Sequence, residues 1–359
     1  MFIHVDMDYF FAQAEELRHP EYRGKIIVVC VYSGRTEDSG VVSTVNYEGR
    51  RHGIHSGQAI YMAKKRAPPA DSVFLPVDHV YYQETSDAID AVIRKYDESA
   101  ERTSIDEWFL RVERIPEETA RALKSEIAEK TRLTCSVGVA PSRLGSKMAA
   151  DRSKPDGLLV LDSLGERRLI EESDVEKVVG IGKKTAEALH ALGVEKVKDL
   201  KKLDRIGLIE RFGKKTGAWF VSLAEGRYYD LLQYAEEEQV EVSRIGTLKE
   251  RTRDAGELAA KVAELEKDNK EWLRRNNKFF RTIGLSFVTD DMKAHTRSLS
   301  FRNPRGWAED CSEEVVALIR QFLAENDRDV RRIGVKYTNF VDVSGQSTLA
   351  GEFRNLLEF

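Results

Sequence analysis

The stretch FIHVDMDYFFAQAEEL, residues 2–17, places acidic side chains at the junction of a strand and a helix. Phe2 to Val5 is apolar and predicts a short strand, and residues 9–17 have the apolar spacing of a helix. Asp6 and Asp8 therefore follow the strand directly. Carboxylates at the ends of adjacent central strands can converge on divalent cations, and hard oxygen ligands suit Mg²⁺.

A second acidic pair, Asp106-Glu107, lies in the hairpin-like segment 100–112. Neighbouring residues of a regular strand point to opposite faces, so one of the two must occupy a turn or bulge if both bind metal. Two metal ions could activate an attacking hydroxyl and stabilise a leaving pyrophosphate. Either acidic site alone is more simply interpreted as ordinary strand-end acids. A metal-binding role for the two sites gains support only from the rest of the chain.

Strands and helices alternate through residues 1–165, which predicts an α/β or α+β domain. Further strands are expected at 25–31, 41–45, 72–76, 133–140 and 158–161, and helices at 56–66, 81–96, 117–130 and 142–152. Residues 165–232 are Lys-rich and helical, and 234–242 resemble an exposed acidic linker. From residue 243 a βαββαβ order is predicted, with strands 243–249, 279–288, 294–301 and 330–341 and helices 256–274 and 309–325.

Composition limits the class of protein. The 359 residues are 41% hydrophobic, which excludes wholesale disorder. No apolar run is long enough for a membrane span and no secretory signal is visible, while the three cysteines are too few for a disulfide framework or a zinc site. A reducing, cytoplasmic location is expected.

Net charge hides an uneven distribution. The total of −4 argues mildly against a nucleic-acid partner. Residues 244–342, however, carry 20 Lys and Arg against 17 Asp and Glu. Such charge is more often a solvated face than a binding site, so both interpretations stay open on composition alone.

Five motifs together resemble those of the Y-family DNA polymerases, most closely the DNA polymerase IV type of archaea and bacteria. They occur in the family's order and spacing over residues 2 to about 342, and they are Val5–Gln13, Ser39–Arg50, Ser104–Glu107, Cys135–Ala140 and Ser146–Gly157. The resemblance implies an α+β multidomain, right-hand polymerase fold. Its parts would be a palm with a split βαβ sheet (1–18 and 77–165), small fingers (19–76), a helical thumb with a helix-hairpin-helix (166–232), a linker (233–243), a βαββαβ little finger domain (244–342) and a tail (343–359).

By the same resemblance, Asp6, Asp106 and Glu107 are the catalytic residues that hold two Mg²⁺ ions, with the Met7 carbonyl as a further ligand. Asp8 matches the motif with a weaker claim to a metal. The nucleotide-binding residues would be Tyr47, Arg50 and Lys154, helped by Thr44 and by backbone amides near Tyr9 and Phe10. Phosphoryl transfer needs such positioning and charge neutralisation.

Specificity is expected from Phe11, whose counterpart in the family lies under the sugar and blocks a 2′-hydroxyl, the group that separates RNA from DNA precursors. Without the resemblance, Phe11 would be interpreted as a core aromatic. The residues that resemble the family's roof over the nascent base pair are Val41, Val42 and Ser43.

DNA contacts are expected in two places. The turn Gly180-Ile181-Gly182, followed by Lys183 and Lys184, would expose backbone N–H groups to phosphate. A sheet of the last domain would lie on the duplex backbone through strand residues that include Arg244, Thr247, Arg297, Ser298, Arg331, Arg332 and Lys336.

The tail resembles a sliding-clamp peptide through Gln346, Leu349 and Phe353, with Leu356-Leu357-Glu358-Phe359 as a rival anchor. The resemblance as a whole implies low-fidelity, translesion DNA synthesis on primer-template DNA from dNTP, by a monomer with no membrane partner. Two alternatives stay open, a nucleotidyl cyclase with a palm-like domain and a catalytically inactive DNA-binding accessory protein of the same family.

Overall fold

A computed structural model describes residues 1–228 and 239–342. These fall into two compact units, one of residues 1–32 and 38–228 and the other of residues 33–37 and 239–342. In the part of the chain that the structure describes, no helix combines the length and hydrophobicity needed to cross a bilayer.

The first unit mixes short strands and helices as the sequence predicted. Its elements are β1 (Phe2–Met7), α1 (Phe10–Arg18), β2 (Ile26–Tyr32), β3 (Gly40–Val45), α2 (Tyr47–Arg51), α3 (Ile60–Arg66), β4 (Ser72–Pro76), α4 (His79–Ile93), β5 (Glu101–Arg102), β6 (Glu107–Arg111), α5 (Pro116–Thr131), β7 (Cys135–Ala140), α6 (Arg143–Ser153), β8 (Leu158–Val160), α7 (Ser163–Glu172), α8 (Lys183–His190) and α9 (Arg205–Ala224). The predicted helix at 56–66 begins only at Ile60, because residues 55–57 form a turn before it.

A five-stranded sheet in the order β5-β6-β1-β7-β8 organises this unit. β1 is its central strand and runs antiparallel to both β6 and β7. Alternate residues of β1 point to opposite faces, so Ile3 and Val5 enter the main core while His4 and Asp6 lie on the other face. The strand that carries Asp6 is thus held from both sides.

Helix α6 covers the face of the sheet that bears His4. It approaches β7 so closely that a Cβ at Gly138 would overlap the carbonyl oxygen of Ser146 and the amide nitrogen of Ala150. The absence of a side chain at Gly138 therefore sets the distance between α6 and the sheet. This contact matters because α6 carries Lys147 and ends at Lys154.

A smaller three-stranded sheet, β3-β2-β4, and a helical segment complete the first unit. The small sheet and the helices α2 and α3 enclose a separate core that includes Val28, Val42 and Ile60. Residues 163–224 are helical, with a core of their own that includes Val178 and Phe220.

The second unit has the predicted βαββαβ order. Its elements are β9 (Glu241–Thr252), α10 (Ala255–Arg275), β10 (Lys278–Thr289), β11 (Ala294–Arg305), α11 (Ser312–Glu325) and β12 (Val330–Asp342), and the strand order is β11-β10-β12-β9. The last residues of the expected linker 233–243 overlap β9, which starts at Glu241, and Val242 is buried opposite Tyr337. Its first six residues lie outside the described ranges.

We expect Gly138→Ala to lower the free energy of unfolding by about 3 kcal/mol, since a methyl group would force α6 away from the sheet. Thermal or urea denaturation would measure it. Gly207→Ala is the matched control, because that exposed helical glycine has only an aspartate side chain nearby and should be neutral or slightly stabilised. Equal stability of the two variants would contradict the close packing of α6.

Candidate active site

Three predicted acidic residues lie near the end of β1. Asp6 pairs with Glu107 across the antiparallel strands β1 and β6. Asp106 lies in the bend just before β6, and its carbonyl accepts a hydrogen bond from the Met7 amide at 3.0 Å. Asp106 therefore lies outside the regular strand, which is the condition that the sequence sets if both Asp106 and Glu107 are to bind metal.

One cluster in this region, His4, Asp6 and Glu107, has potential ligand atoms within 4.8 Å of one another. His4 was not predicted. Its ring is fully buried beside Phe109, with 4.4 Å between the ring centroids, and neither ring nitrogen has a hydrogen-bond partner. Asp106 lies outside that cluster and accepts a hydrogen bond from the Ser104 hydroxyl at 2.6 Å.

Two lysines balance the acidic charge. Lys154 Nζ lies 2.6 Å from Asp6 Oδ2, and Lys147 Nζ lies 2.5 Å from Glu107 Oε2. Lys147 was missed in the sequence, although it stands seven residues, two helical turns, before Lys154. Burial opposes the charge on Lys154, yet the carboxylates of Asp6 and Asp151 raise its pKa overall.

Burial also shifts the acids. It raises the pKa of Asp6 to about 7, with Lys154 opposing the shift and Glu107 and Asp106 adding to it. The pKa of Asp106 is raised as well, mainly by burial. A crowded, partly buried set of oxygen donors is the environment in which a divalent cation gains most, and the residues present fit such an ion.

A cavity of about 300 Å³ opens beside these acids. All but one of its lining residues were predicted as site residues, and the exception is Ser56, in a turn with no distinctive sequence signal. The predicted ones are Asp6, Met7, Tyr9, Phe10, Ser43, Thr44, Tyr47, Arg50, Asp106, Glu107 and Lys154.

Helix α2 presents two of these side chains together. The Asn46 side chain caps the helix by accepting a hydrogen bond from the Gly49 amide at 3.1 Å. Tyr47 and Arg50 are then one turn apart, with the guanidinium carbon 4.8 Å from the centroid of the tyrosine ring. Burial, with the nearby Asp8 carboxylate, raises the pKa of Tyr47 to about 12.

Tyr9 and Phe10 form the start of helix α1. Tyr9 is in the left-handed region with φ of 36°, which a tyrosine rarely adopts, and its ring meets that of Tyr47 edge-on with 5.1 Å between centroids. The first amides of α1 have no partner within the helix. They lie at the cavity that Tyr9 and Phe10 line.

Phe11 stacks on Tyr82 rather than lining the cavity. The ring centroids are 4.2 Å apart and the planes are nearly parallel, at 13°. The Tyr82 hydroxyl donates to buried Glu15 at 2.8 Å. The Phe11 ring therefore packs on a side chain that is held by a hydrogen bond, and it remains partly exposed.

The three residues predicted as a roof divide between two faces. Val41 is 45% exposed and Ser43 lines the cavity, whereas Val42 is buried in the core of the three-stranded sheet. The prediction for Val42 is wrong, because alternate residues of β3 point to opposite faces.

The glycine turn has the form expected of an anion-binding turn. Gly180 has a φ of 97° and packs against the ring of Trp219, while Gly182 precedes helix α8, with open space around its Cα. Lys183 and Lys184 are the first two residues of that helix and are exposed. Backbone amides can therefore approach a ligand closely here.

The C-terminal sheet has an open face and a face covered by helices. The open face includes Thr247, Ser298 and Arg332. Arg332 pairs with Thr247 and with Val288, and Ser298 pairs with Gly284. These positions alternate along their strands with residues of the core. Arg244 and Arg297 pair with core residues of β12 and β10 and belong to the covered face.

Their contacts agree with that assignment. Arg297 forms an ion pair with Glu325 of α11, and Arg244 Nε lies 3.6 Å from Asp268 of α10. The prediction that these two arginines face DNA with the others is wrong, because strand alternation turns them toward the helices. Arg331 follows a register shift and contacts Met292. Gln346, Leu349 and Phe353 lie outside the described residues.

Comparisons with known proteins identify the family of the chain. Family models match residues 5–151, as the impB/mucB/samB family, and residues 239–350, as its C-terminal domain. The chain belongs to this family, the Y-family DNA polymerases. It is 35% identical to DNA polymerase IV of Nitrosopumilus maritimus, over 98% of both chains. It is 34% identical to DNA polymerase IV of Saccharolobus solfataricus, over 95% of this chain and 97% of that protein.

Solved structures agree as well. A Y-family DNA polymerase chimera of Dbh and Dpo4 has a TM-score of 0.86 at 33% identity, and an insertion ternary complex of Dbh DNA polymerase has 0.65 at 32%. Each comparison covers 95% of this chain and 99% of the other. The expected fold and the expected activity, low-fidelity DNA-directed DNA synthesis, are confirmed, and the family uses divalent metal. The domain boundaries stay predictions.

The raised pKa of Asp6 predicts a pH-dependent gain in stability for Asp6→Asn in metal-free protein. A carboxyl with a folded pKa of about 7, against an ordinary value of 3.8, weakens the fold progressively as pH rises between those values. The advantage of the variant in melting temperature should therefore grow from about pH 4 to about pH 7 and level off above.

Thermal denaturation in a chelator would measure this gain. Asp151→Asn is the matched control, since Asp151 also pairs with Lys154 but is largely exposed. Melting curves of Asp6→Asn that run parallel to those of the unaltered protein at every pH would contradict the cost of burying Asp6.

Proposed function

We propose that the cavity beside Asp6, Asp106 and Glu107 binds dNTP and two Mg²⁺ ions, and that these three residues, with the Met7 carbonyl, hold the ions during translesion synthesis. The observation that carries the proposal is the single cavity that unites the acids with Tyr47, Arg50 and Lys154. Bound Mg²⁺ would lower the pKa of the primer 3′-hydroxyl and neutralise charge on the phosphates.

The residues of the chain supply position and positive charge. The Arg50 fork can bind two phosphate oxygens, Lys154 adds a point charge and the amides at the start of α1 add hydrogen-bond donors. The 3′-hydroxyl would attack the α-phosphorus, and the bond to pyrophosphate would break. Lys154 would exchange its contact with Asp6 for the triphosphate, since both lie at the same cavity.

DNA would be bound by surfaces outside the cavity. The glycine turn fits phosphate, and the open face of the C-terminal sheet carries Arg332 and Lys336, the latter opposite Gly284. Such contacts would follow the backbone and not the base sequence. We extend the proposal to a monomer that acts at the chromosome in the cytoplasm and binds a sliding clamp through Gln346, Leu349 and Phe353, on the spacing of those residues.

No observation favours the alternatives. A nucleotidyl cyclase would not need the glycine turn or the C-terminal sheet. An inactive accessory protein would not need the three carboxylates together with a basic nucleotide cavity.

The double substitution Asp106→Ala/Glu107→Ala should reduce primer extension with Mg²⁺ by more than a thousandfold, since the charge that holds the ions is lost. Gel-based extension and DNA binding would be measured in parallel, and binding should persist. Glu117→Ala/Glu118→Ala removes the same charge from an exposed helix and is the control. Extension that survives the first double substitution would refute the proposed catalytic role.

Phe11→Ala should admit ribonucleotides, because the aromatic ring that would exclude a 2′-hydroxyl is gone. We expect the preference for dNTP over rNTP to fall by at least tenfold in single-nucleotide insertion kinetics. Tyr82→Phe keeps the ring beneath Phe11 and should keep the preference. Unchanged discrimination in Phe11→Ala would sink the idea of a gate.

Arg332→Ala/Lys336→Ala should reduce the dependence of DNA affinity on salt, by about one unit of slope for each phosphate that is no longer neutralised. Fluorescence anisotropy over a range of salt concentrations would give the slope. Arg244→Ala/Arg297→Ala, on the covered face, should leave it unchanged. The opposite ranking would show that the sheet does not bind DNA through its open face.

A further inference from the structure

We infer that Asp8 is a positioning residue for the triphosphate-binding side chains and not a metal ligand. The inference rests on the proposed function, because it concerns how the nucleotide cavity is built. Asp8 follows β1 directly and is only 1% exposed. Its carboxylate is bonded to residues from three different parts of the first unit, Tyr47, residues 134–136 and Asp156.

Both carboxylate oxygens already accept hydrogen bonds. Oδ1 accepts from the Ser136 hydroxyl at 2.8 Å and from the Tyr47 hydroxyl at 3.3 Å. Oδ2 accepts from the Thr134 hydroxyl at 3.0 Å and from the Asp156 amide at 2.9 Å. Four donors on two oxygens use the strongest acceptor directions of a carboxylate, so little capacity is left for a cation.

The four donors link Asp8 to two elements that each contribute a side chain to the cavity, Tyr47 and Lys154. Tyr47 belongs to α2, whereas the Asp156 amide belongs to the loop that carries Lys154 two residues earlier. Thr134 and Ser136 fix the carboxylate to β7, and the Asp8 carbonyl accepts from Gln13 at 2.6 Å. Asp8 thus holds a phosphate-binding side chain and a phosphate-binding loop on one rigid strand.

The Asp156 loop depends on this contact. Asp156 has a φ of 50°, an uncommon value outside glycine, and its own carboxylate pairs with Lys124. Two hydrogen-bonded anchors, one on the amide and one on the side chain, hold that backbone in place. Loss of the anchor on the amide would release the loop and with it the Lys154 ammonium.

Tyr47 can serve both Asp8 and a nucleotide. Rotation about its C–O bond redirects the hydroxyl proton while the ring stays between Tyr9 and Arg50. The ring would thus be in place before dNTP arrives, and no ordering cost would remain at binding.

Two substitutions separate this role from metal binding. Asp8→Asn has the same shape. With its nitrogen in place of Oδ1 it can donate to the Ser136 and Tyr47 hydroxyls, which also accept, while its oxygen keeps the Thr134 hydroxyl and the Asp156 amide. We expect dNTP affinity within about threefold of the unaltered protein. Asp8→Ala removes all four bonds and should weaken dNTP binding about tenfold or more.

The binding measurement would use a dNTP analogue with a methylene bridge between the α- and β-phosphorus, titrated into the full chain with primer-template DNA and Mg²⁺. Mn²⁺ affinity would be followed by electron paramagnetic resonance. Neither Asp8 variant should change Mn²⁺ affinity by more than about threefold, whereas Asp6→Asn should lower it at least tenfold. In a Tyr47→Phe background, Asp8→Ala should weaken dNTP binding less than it does alone.

A tenfold loss of Mn²⁺ affinity in Asp8→Asn would overturn the inference, and so would full dNTP affinity in Asp8→Ala. If Asp8→Ala does not fold, Thr134→Val removes one donor with no change of charge and should weaken dNTP binding by about twofold to fivefold, and an unchanged value would count against the inference. The proposed function fails separately, if Tyr47→Phe and Arg50→Ala both bind the dNTP analogue normally.

Discussion

The crowding of buried carboxylates at the end of one strand is the constraint on which the rest of the first unit depends. Asp6 and its neighbours lose hydration and repel one another, and this raises the pKa of Asp6 to about 7. Lys147 and Lys154 offset part of that cost. Helix α6 must therefore lie close to the sheet, because it brings both lysines to the acids.

The close packing of α6 on the sheet also places the two lysines beside the acids. Gly138 lets α6 approach the strand, and the loop after α6 returns to Asp8 through the Asp156 amide. A dNTP with its metal ions would replace the lysine contacts by stronger ones. The electrostatic cost of crowding these acids would then favour the binding of cations beside them.

Much of the fold and of the site could be predicted from the sequence, because motif residues and hydrophobic periodicity are local signals. The residues that line the cavity were found this way, apart from Ser56. The face of the sheet to which each strand side chain points was harder to predict. Val42, Arg244 and Arg297 were misplaced because a one-residue step turns a side chain to the other face, and a list of polar or apolar strand residues does not include that step. The contacts that Lys147 and the four donors to Asp8 make could not be predicted, since they depend on how elements far apart in the chain pack together.

The most direct test counts the divalent ions in the assembled complex. Mn²⁺ bound to the chain with primer-template DNA and a non-reactive dNTP analogue would be measured by equilibrium dialysis, beside Asp6→Asn/Asp106→Asn. We predict two ions for each unaltered chain and at most one in the double variant. A single ion in both proteins, carried by the nucleotide alone, would contradict the assignment of these carboxylates.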